Sequence, residues 1–104
     1  MLDETRVAEP AYGDVLCGRG GFTNKHPGNI RFREKALEFR PWYEESSKEK
    51  KPEIANLLVD SVGNEGHRFL GKGEDGFWHK MIGNGPHYKA SQSLRERIKG
   101  GNEK

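Results

Sequence analysis

PEIANLLVDSVGNEGHRFLGKGEDGFWHKM, residues 52–81, changes character partway along, and that change sets the fold class. In its first half Ile54, Leu57, Leu58, Ser61 and Val62 follow the i, i+3, i+4, i+7, i+8 spacing of an amphipathic helix. Pro52 belongs in the first turn of that helix, where its missing amide donor costs nothing. Gly63 or Gly66 supplies the stop. In the second half, His67-Arg68-Phe69-Leu70 and Phe77-Trp78-His79-Lys80-Met81 flank a glycine-rich turn containing Asp75-Gly76. Two short apolar-containing runs around such a turn predict a β-hairpin. A helix followed directly by a hairpin makes the chain α+β.

Upstream, Asp14-Val15-Leu16-Cys17 reads as one short strand. It runs into Gly18-Arg19-Gly20-Gly21, a loop whose backbone angles favour glycine. Helical spacing begins at Ile30, with Asn29 as the expected N-cap and Pro27 barring an earlier start. Ile30 and Leu37, with Phe32, Ala36, Phe39 and Tyr43, form one broad face. The helix is expected to end near Glu45-Ser46. Pro41 lies inside it, so the helix either bends there or breaks. Residues 46–51 form a polar joint. Downstream of the hairpin, Gly83, Gly85 and Pro86 mark a turn, and a last helix is expected over residues 87–99 with Ala90, Leu94 and Ile98 spaced by four. The order is short strand, two helices, hairpin and C-terminal helix, loosely that of a winged helix. Residues 1–12 read as a disordered acidic lead-in, 13–99 as one domain and 100–104 as a disordered tail.

The 104 residues allow one domain and one core. Cys17 is the only cysteine, so no intrachain disulfide forms, which fits a reducing compartment. No apolar run approaches the roughly 18–20 residues of a membrane span. The acidic N-terminus lacks the features of a signal peptide. The expected setting is intracellular, the nucleus ahead of the cytoplasm.

Asp14-Val15-Leu16-Cys17-Gly18-Arg19-Gly20-Gly21, His26-Pro27-Gly28-Asn29 and Phe32-Arg33 together resemble a family of uncharacterised domains abundant in diatoms and other stramenopile algae. Lys51-Pro52-Glu53-Ile54, Arg68-Phe69-Leu70, Asp75-Gly76-Phe77-Trp78 and Ser91-Gln92-Ser93-Leu94-Arg95-Glu96 extend the likeness over about residues 14–96. The resemblance implies a folded unit and an algal origin. It implies no activity, because the family is a domain of unknown function.

Catalytic and metal chemistry find little support. The four histidines are scattered, with none three or four apart. Cys17 with a histidine is the one conceivable nucleophile pair, and it lies in an apolar run where a structural thiol is the default. No cofactor, small-molecule substrate or enzyme activity is expected. The glycine loop is either a tight packing loop anchored by Phe22 or a nest of amides for an anion, with Arg19 and Lys25 adding charge.

The distribution of charge is more informative than the net of +2. Residues 1–16 are acidic, whereas residues 17–51 hold nine basic side chains against five glutamates. Arg31, Arg33, Lys35 and Arg40 fall on the first helix, and Lys89, Arg95, Arg97 and Lys99 on the last. The expected function is therefore nucleic-acid binding, DNA favoured. Arg19, Lys25, Lys48, Lys50, Lys51 and Lys72 are the expected phosphate contacts, with Gln92 and Arg95 as candidate base contacts. The alternative is a protein-interaction module that uses Trp42, Tyr43, Phe77 and Trp78 as an aromatic surface.

Overall fold

The computed structural model describes residues 2–18, 23 and 25–95. Four strands, β1 (Leu2–Val7), β2 (Val15–Cys17), β3 (Phe69–Lys72) and β4 (Trp78–Met81), form one mixed sheet in the order β1-β4-β3-β2. Three long helices of the described residues accompany it: α1 (Pro27–Glu45), α2 (Lys51–Asn64) and α3 (Gly85–Arg95). The β1–β4 and β4–β3 pairs are antiparallel, and β2 runs parallel to β3. The α+β class, and the order of elements from β2 onward, are as the sequence predicts.

The core lies between the helices and one sheet face. Phe32, Ala36 and Tyr43 of α1 meet Ile54, Ala55, Leu58 and Val62 of α2, Ala90 and Leu94 of α3, and Val15 and Phe69 of the sheet. Phe32 and Phe69 join helix to sheet edge-to-face, with ring centroids 5.6 Å apart. Ile30, Leu37 and Leu57, expected on the packed faces, are substantially exposed instead. The buried stripes of α1 and α2 are thus narrower than their apolar patterns.

The helix ends follow local chemistry. α2 closes as a Schellman motif: Gly66 adopts a positive φ of 83°, its amide bonds the Gly63 carbonyl, and the His67 amide bonds that of Val62. α1 runs unbroken through Pro41. The proline removes one amide donor to the Leu37 carbonyl, but both residues are exposed, so water can satisfy that oxygen. α1 also starts earlier than expected. Pro27 occupies its first turn, a position that suits a residue without an amide hydrogen. α3 likewise begins at Gly85, two residues ahead of its expected start, and its expected last turn lies outside the described residues.

Asn29 is not the cap of α1. Its side chain is buried, and its carboxamide accepts from the Leu16 amide at 2.7 Å and donates to the Leu16 carbonyl at 2.8 Å. The inner edge of β2 bonds β3, beginning with the Val15 amide on the Arg68 carbonyl. Leu16 faces the other way, and Asn29 takes the place of the missing neighbouring strand. Two further contacts bring the start of α1 against this segment. His26 Nε2 bonds the Ala11 carbonyl at 3.1 Å, and Gly28 packs so closely that a Cβ there would overlap the Asp14 carbonyl.

Asp14 secures the same segment from the sheet side. Its buried carboxylate accepts from the Ala11 amide, the Arg68 amide and the Arg68 guanidinium, the last at 2.7 Å. Burial pushes the Asp14 carboxyl up, but the Arg68 and backbone donors outweigh it and hold the pKa below 3.8.

The expected lead-in needs correction: Leu2–Val7 is an edge strand paired with β4, so the folded unit begins before residue 13. Its own sequence is charged and buries nothing fully, and its partners hold it in place. His79 is 7% exposed, with Nδ1 donating to the Asp3 carbonyl at 2.8 Å and Nε2 to the Asp75 carboxylate at 3.1 Å. Arg6 reaches the same carboxylate and also lies over the Phe77 ring. Both imidazole nitrogens thus face acceptors, an arrangement that only the imidazolium satisfies fully. The expected tail, residues 100–104, lies outside the described residues.

Two stability predictions follow from these contacts. Replacing Asn29 with Leu strands two buried backbone groups and costs about 2–4 kcal/mol, seen as a lowered urea midpoint; an unchanged midpoint would mean that nothing depends on the carboxamide. The Asp75 hydrogen bond, ahead of the Asp3 carbonyl, raises the His79 pKa above its ordinary 6.5. Its contribution to stability is therefore complete below that value and is lost as pH rises through the raised pKa. Urea titrations across that window should show a decline that His79→Phe abolishes.

Candidate nucleic-acid interface

Because β2 and β3 are parallel, their carboxyl ends open at the same sheet edge, with Cys17 level with Gly71. Here Gly18 follows β2 and Lys72 ends β3. Trp78 Cη2 comes within 4.0 Å of the point a Gly18 Cβ would occupy, and Lys72 Nζ lies 5.2 Å from the Trp78 ring centre.

A cleft of about 640 Å³ opens at this edge. Cys17, Gly18 and Thr23 form one side, Asn29, Phe32 and Arg33 of α1 a second, and Met81 of β4 part of the apolar floor. The remaining wall is α3, which contributes Gly85, Tyr88, Lys89, Gln92 and Ser93. Ala90 and Leu94 anchor α3 in the core, leaving these side chains on its other faces. No carboxylate is among the described residues that line the cleft. Burial pushes the Cys17 thiol up, and the nearby Lys89 ammonium pulls it part of the way back.

The expected phosphate contacts divide between two ends of the molecule. Lys25 is exposed just ahead of α1, two residues from Thr23 in the cleft wall. Lys72 is exposed at the end of β3 over the Trp78 ring, and the strand register puts both side chains on the sheet face opposite Cys17 and Met81, away from the cleft. Gln92 lines the cleft, and the exposed Arg95 follows it by three residues on α3. Lys48 and Lys50 are exposed beyond the far end of α1, whose 19 residues span about 28 Å. Lys51 is not a free cation. Its Nζ caps α1 by donating to the carbonyls of Tyr43 (3.0 Å) and Ser46 (2.7 Å), and it also faces the Tyr43 ring. Arg19 lies outside the described residues.

Other cations are held in structural roles. Arg31 and Lys35 share Glu65, Arg68 holds Asp14, Arg6 holds Asp75, and Arg40 donates to the Ser93 carbonyl at 2.7 Å. Arg31, Lys35 and Arg40 read as basic surface in the sequence, but their partners come from distant segments. Tyr88 and Lys89, conversely, were not among the expected contacts. The available signal was the i, i+4 spacing of Tyr88 with Gln92 and of Lys89 with Ser93, off the Ala90–Leu94 stripe.

The alternative aromatic surface is not assembled as one face. Tyr43 belongs to the core, and Trp42 is about half exposed and packs against Phe39. Phe77 and Trp78 each carry a cation over the ring.

A second polar cluster joins α2 to α3. His87 Nδ1 donates to Asn56 Oδ1 at 2.8 Å, which leaves Nε2 to accept from the Ser91 hydroxyl at 3.4 Å. The order resembles nucleophile, base and orienting group. Ser91 lies inside α3, however, where the neighbouring amides are already spent on helix bonds and cannot stabilise an oxyanion. The cluster acts as an interhelical clasp. Among the described residues no three histidine, cysteine or acidic side chains converge as a metal site, and no helix is long and apolar enough to cross a membrane.

Lys89→Met tests the geometry of the cleft. Removing the ammonium should raise the Cys17 pKa further and slow its alkylation by iodoacetamide severalfold at mildly alkaline pH. An unchanged rate would place Lys89 away from the thiol.

No curated protein and no solved structure matches the chain. A family match does exist. It starts at Asp14, whose carboxylate joins β2 to Arg68, and it covers α1, α2, α3 and the residues that line the cleft. Over residues 14–96 the chain matches the domain of unknown function DUF6824 and belongs to that family.

Proposed function

We propose that the chain is a nucleic-acid-binding module, with DNA the favoured ligand, that acts as a regulatory domain in the nucleus and performs no chemistry of its own. The observation that carries this reading is the composition of the cleft. It joins cations, amide and hydroxyl groups and an aromatic ring, with no carboxylate among its described lining residues. A polyanion gains there from Lys89 and from the flanking Lys25 and Arg95. Gln92 presents both a donor and an acceptor, as reading a base edge requires. Lys48 and Lys50, at the far end of α1, lie outside this interface and are assigned no role in it.

Fluorescence anisotropy with labelled single- and double-stranded oligonucleotide pools tests the proposal. Binding should weaken steeply with salt, and Lys89→Ala and Arg95→Ala should each reduce the slope of log Kd against log salt by about 1. Lys48→Ala with Lys50→Ala should leave the slope unchanged. No binding even at low salt would overturn the proposal.

A further inference from the structure

We propose that the ligand of the cleft is single-stranded, with one unpaired nucleotide inserted between α1 and α3. This inference rests on the nucleic-acid reading and specifies which form of nucleic acid the site takes. The shape of the site is the first support. A helix that reads duplex DNA enters the major groove as a convex element. Here the polar residues of α3 face the other way: Lys89, Gln92 and Ser93 are a wall of a concavity, and Lys89 and Ser93 are partly buried in it. A duplex cannot present a base edge inside such a recess, whereas a strand with splayed bases can. At about 640 Å³ the cleft falls in the size range of sites that enclose small molecules, within which a nucleotide fits.

The chemistry of the walls agrees. Met81, partly exposed and backed by the buried Phe32, provides the apolar floor for the face of a base. Tyr88 is 70% exposed at the cleft and meets only the His87 ring, edge-on with centroids 6.3 Å apart among the described contacts, so its ring is available to stack on a base. Lys89 supplies charge for the adjoining phosphate, and Gln92 can pair with the base edge. Stacking on an aromatic platform tolerates any base, so the expected preference is for strandedness over sequence.

Cys17, the only cysteine, lines the cleft and reports its occupancy. The experiment measures alkylation of Cys17 by N-ethylmaleimide in the intact protein with oligothymidine, with a duplex containing the same strand, or with thymidine monophosphate, alongside anisotropy for each oligonucleotide. Oligothymidine should protect Cys17 and bind about tenfold or more tightly than the duplex. Tyr88→Leu, an exposed change that should leave the circular dichroism spectrum intact, should weaken the single strand about tenfold or more and leave the salt slope alone. Duplex binding of equal strength with Cys17 still reactive would overturn the inference and leave the nucleic-acid reading standing. Protection by the mononucleotide as strong as by the strand would also overturn it. Absence of binding by either oligonucleotide at low salt would overturn the nucleic-acid reading itself.

Discussion

The carboxamide of Asn29 closes the open edge of β2, and much of the molecule depends on that contact. β2 has only three residues and bonds a neighbouring strand on one side alone. A strand that short, with Leu16 fully buried, leaves an amide and a carbonyl that water cannot reach. Asn29 satisfies both at once, because a primary amide carries one donor side and one acceptor side in the geometry of a peptide group. The same bonds fix where α1 begins relative to the sheet. His26, Gly28 and Asp14 set the distance and orientation of that junction. The cleft follows from it, since α1 and the end of β2 form two of its sides.

Where the sequence pattern is local, it reports the structure well. The α2 stripe, the glycine stop after it, the hairpin turn at Asp75-Gly76 and the order of elements from β2 onward all arise from neighbours in the chain, and all are visible in residue spacing. The pattern fails where a residue answers to a distant partner. Asn29 has the features of a helix cap, yet a strand thirteen residues away claims its side chain. Leu2–Val7 is too charged to read as a strand, and pairing with β4 and the His79–Asp75–Arg6 group makes it one. Pro41 leaves continuity undecided until the exposure of its turn is known.

The candidate site shows the same division. Single cations are easy to count along a sequence, but their availability depends on long-range pairing. Arg31 and Lys35 meet Glu65 only after α1 packs on α2, and Lys51 turns back onto the end of α1. Once such groups are committed, the cations and polar groups around the cleft are those that combine with a recess and an aromatic ring. Gln92 was foreseeable as a polar residue among arginines and serines. Tyr88 and Lys89 gain meaning only when α3 is seen to present them beside Cys17.

The most direct test of this account is an amide chemical-shift titration of the labelled protein with a short oligonucleotide. The account predicts that the largest changes fall on Cys17, Gly18, Met81, Tyr88, Lys89 and Gln92, the residues around the carboxyl ends of the strands and the facing side of α3. Changes centred on Trp42, Lys48 and Lys50, at the other end of α1, would contradict it.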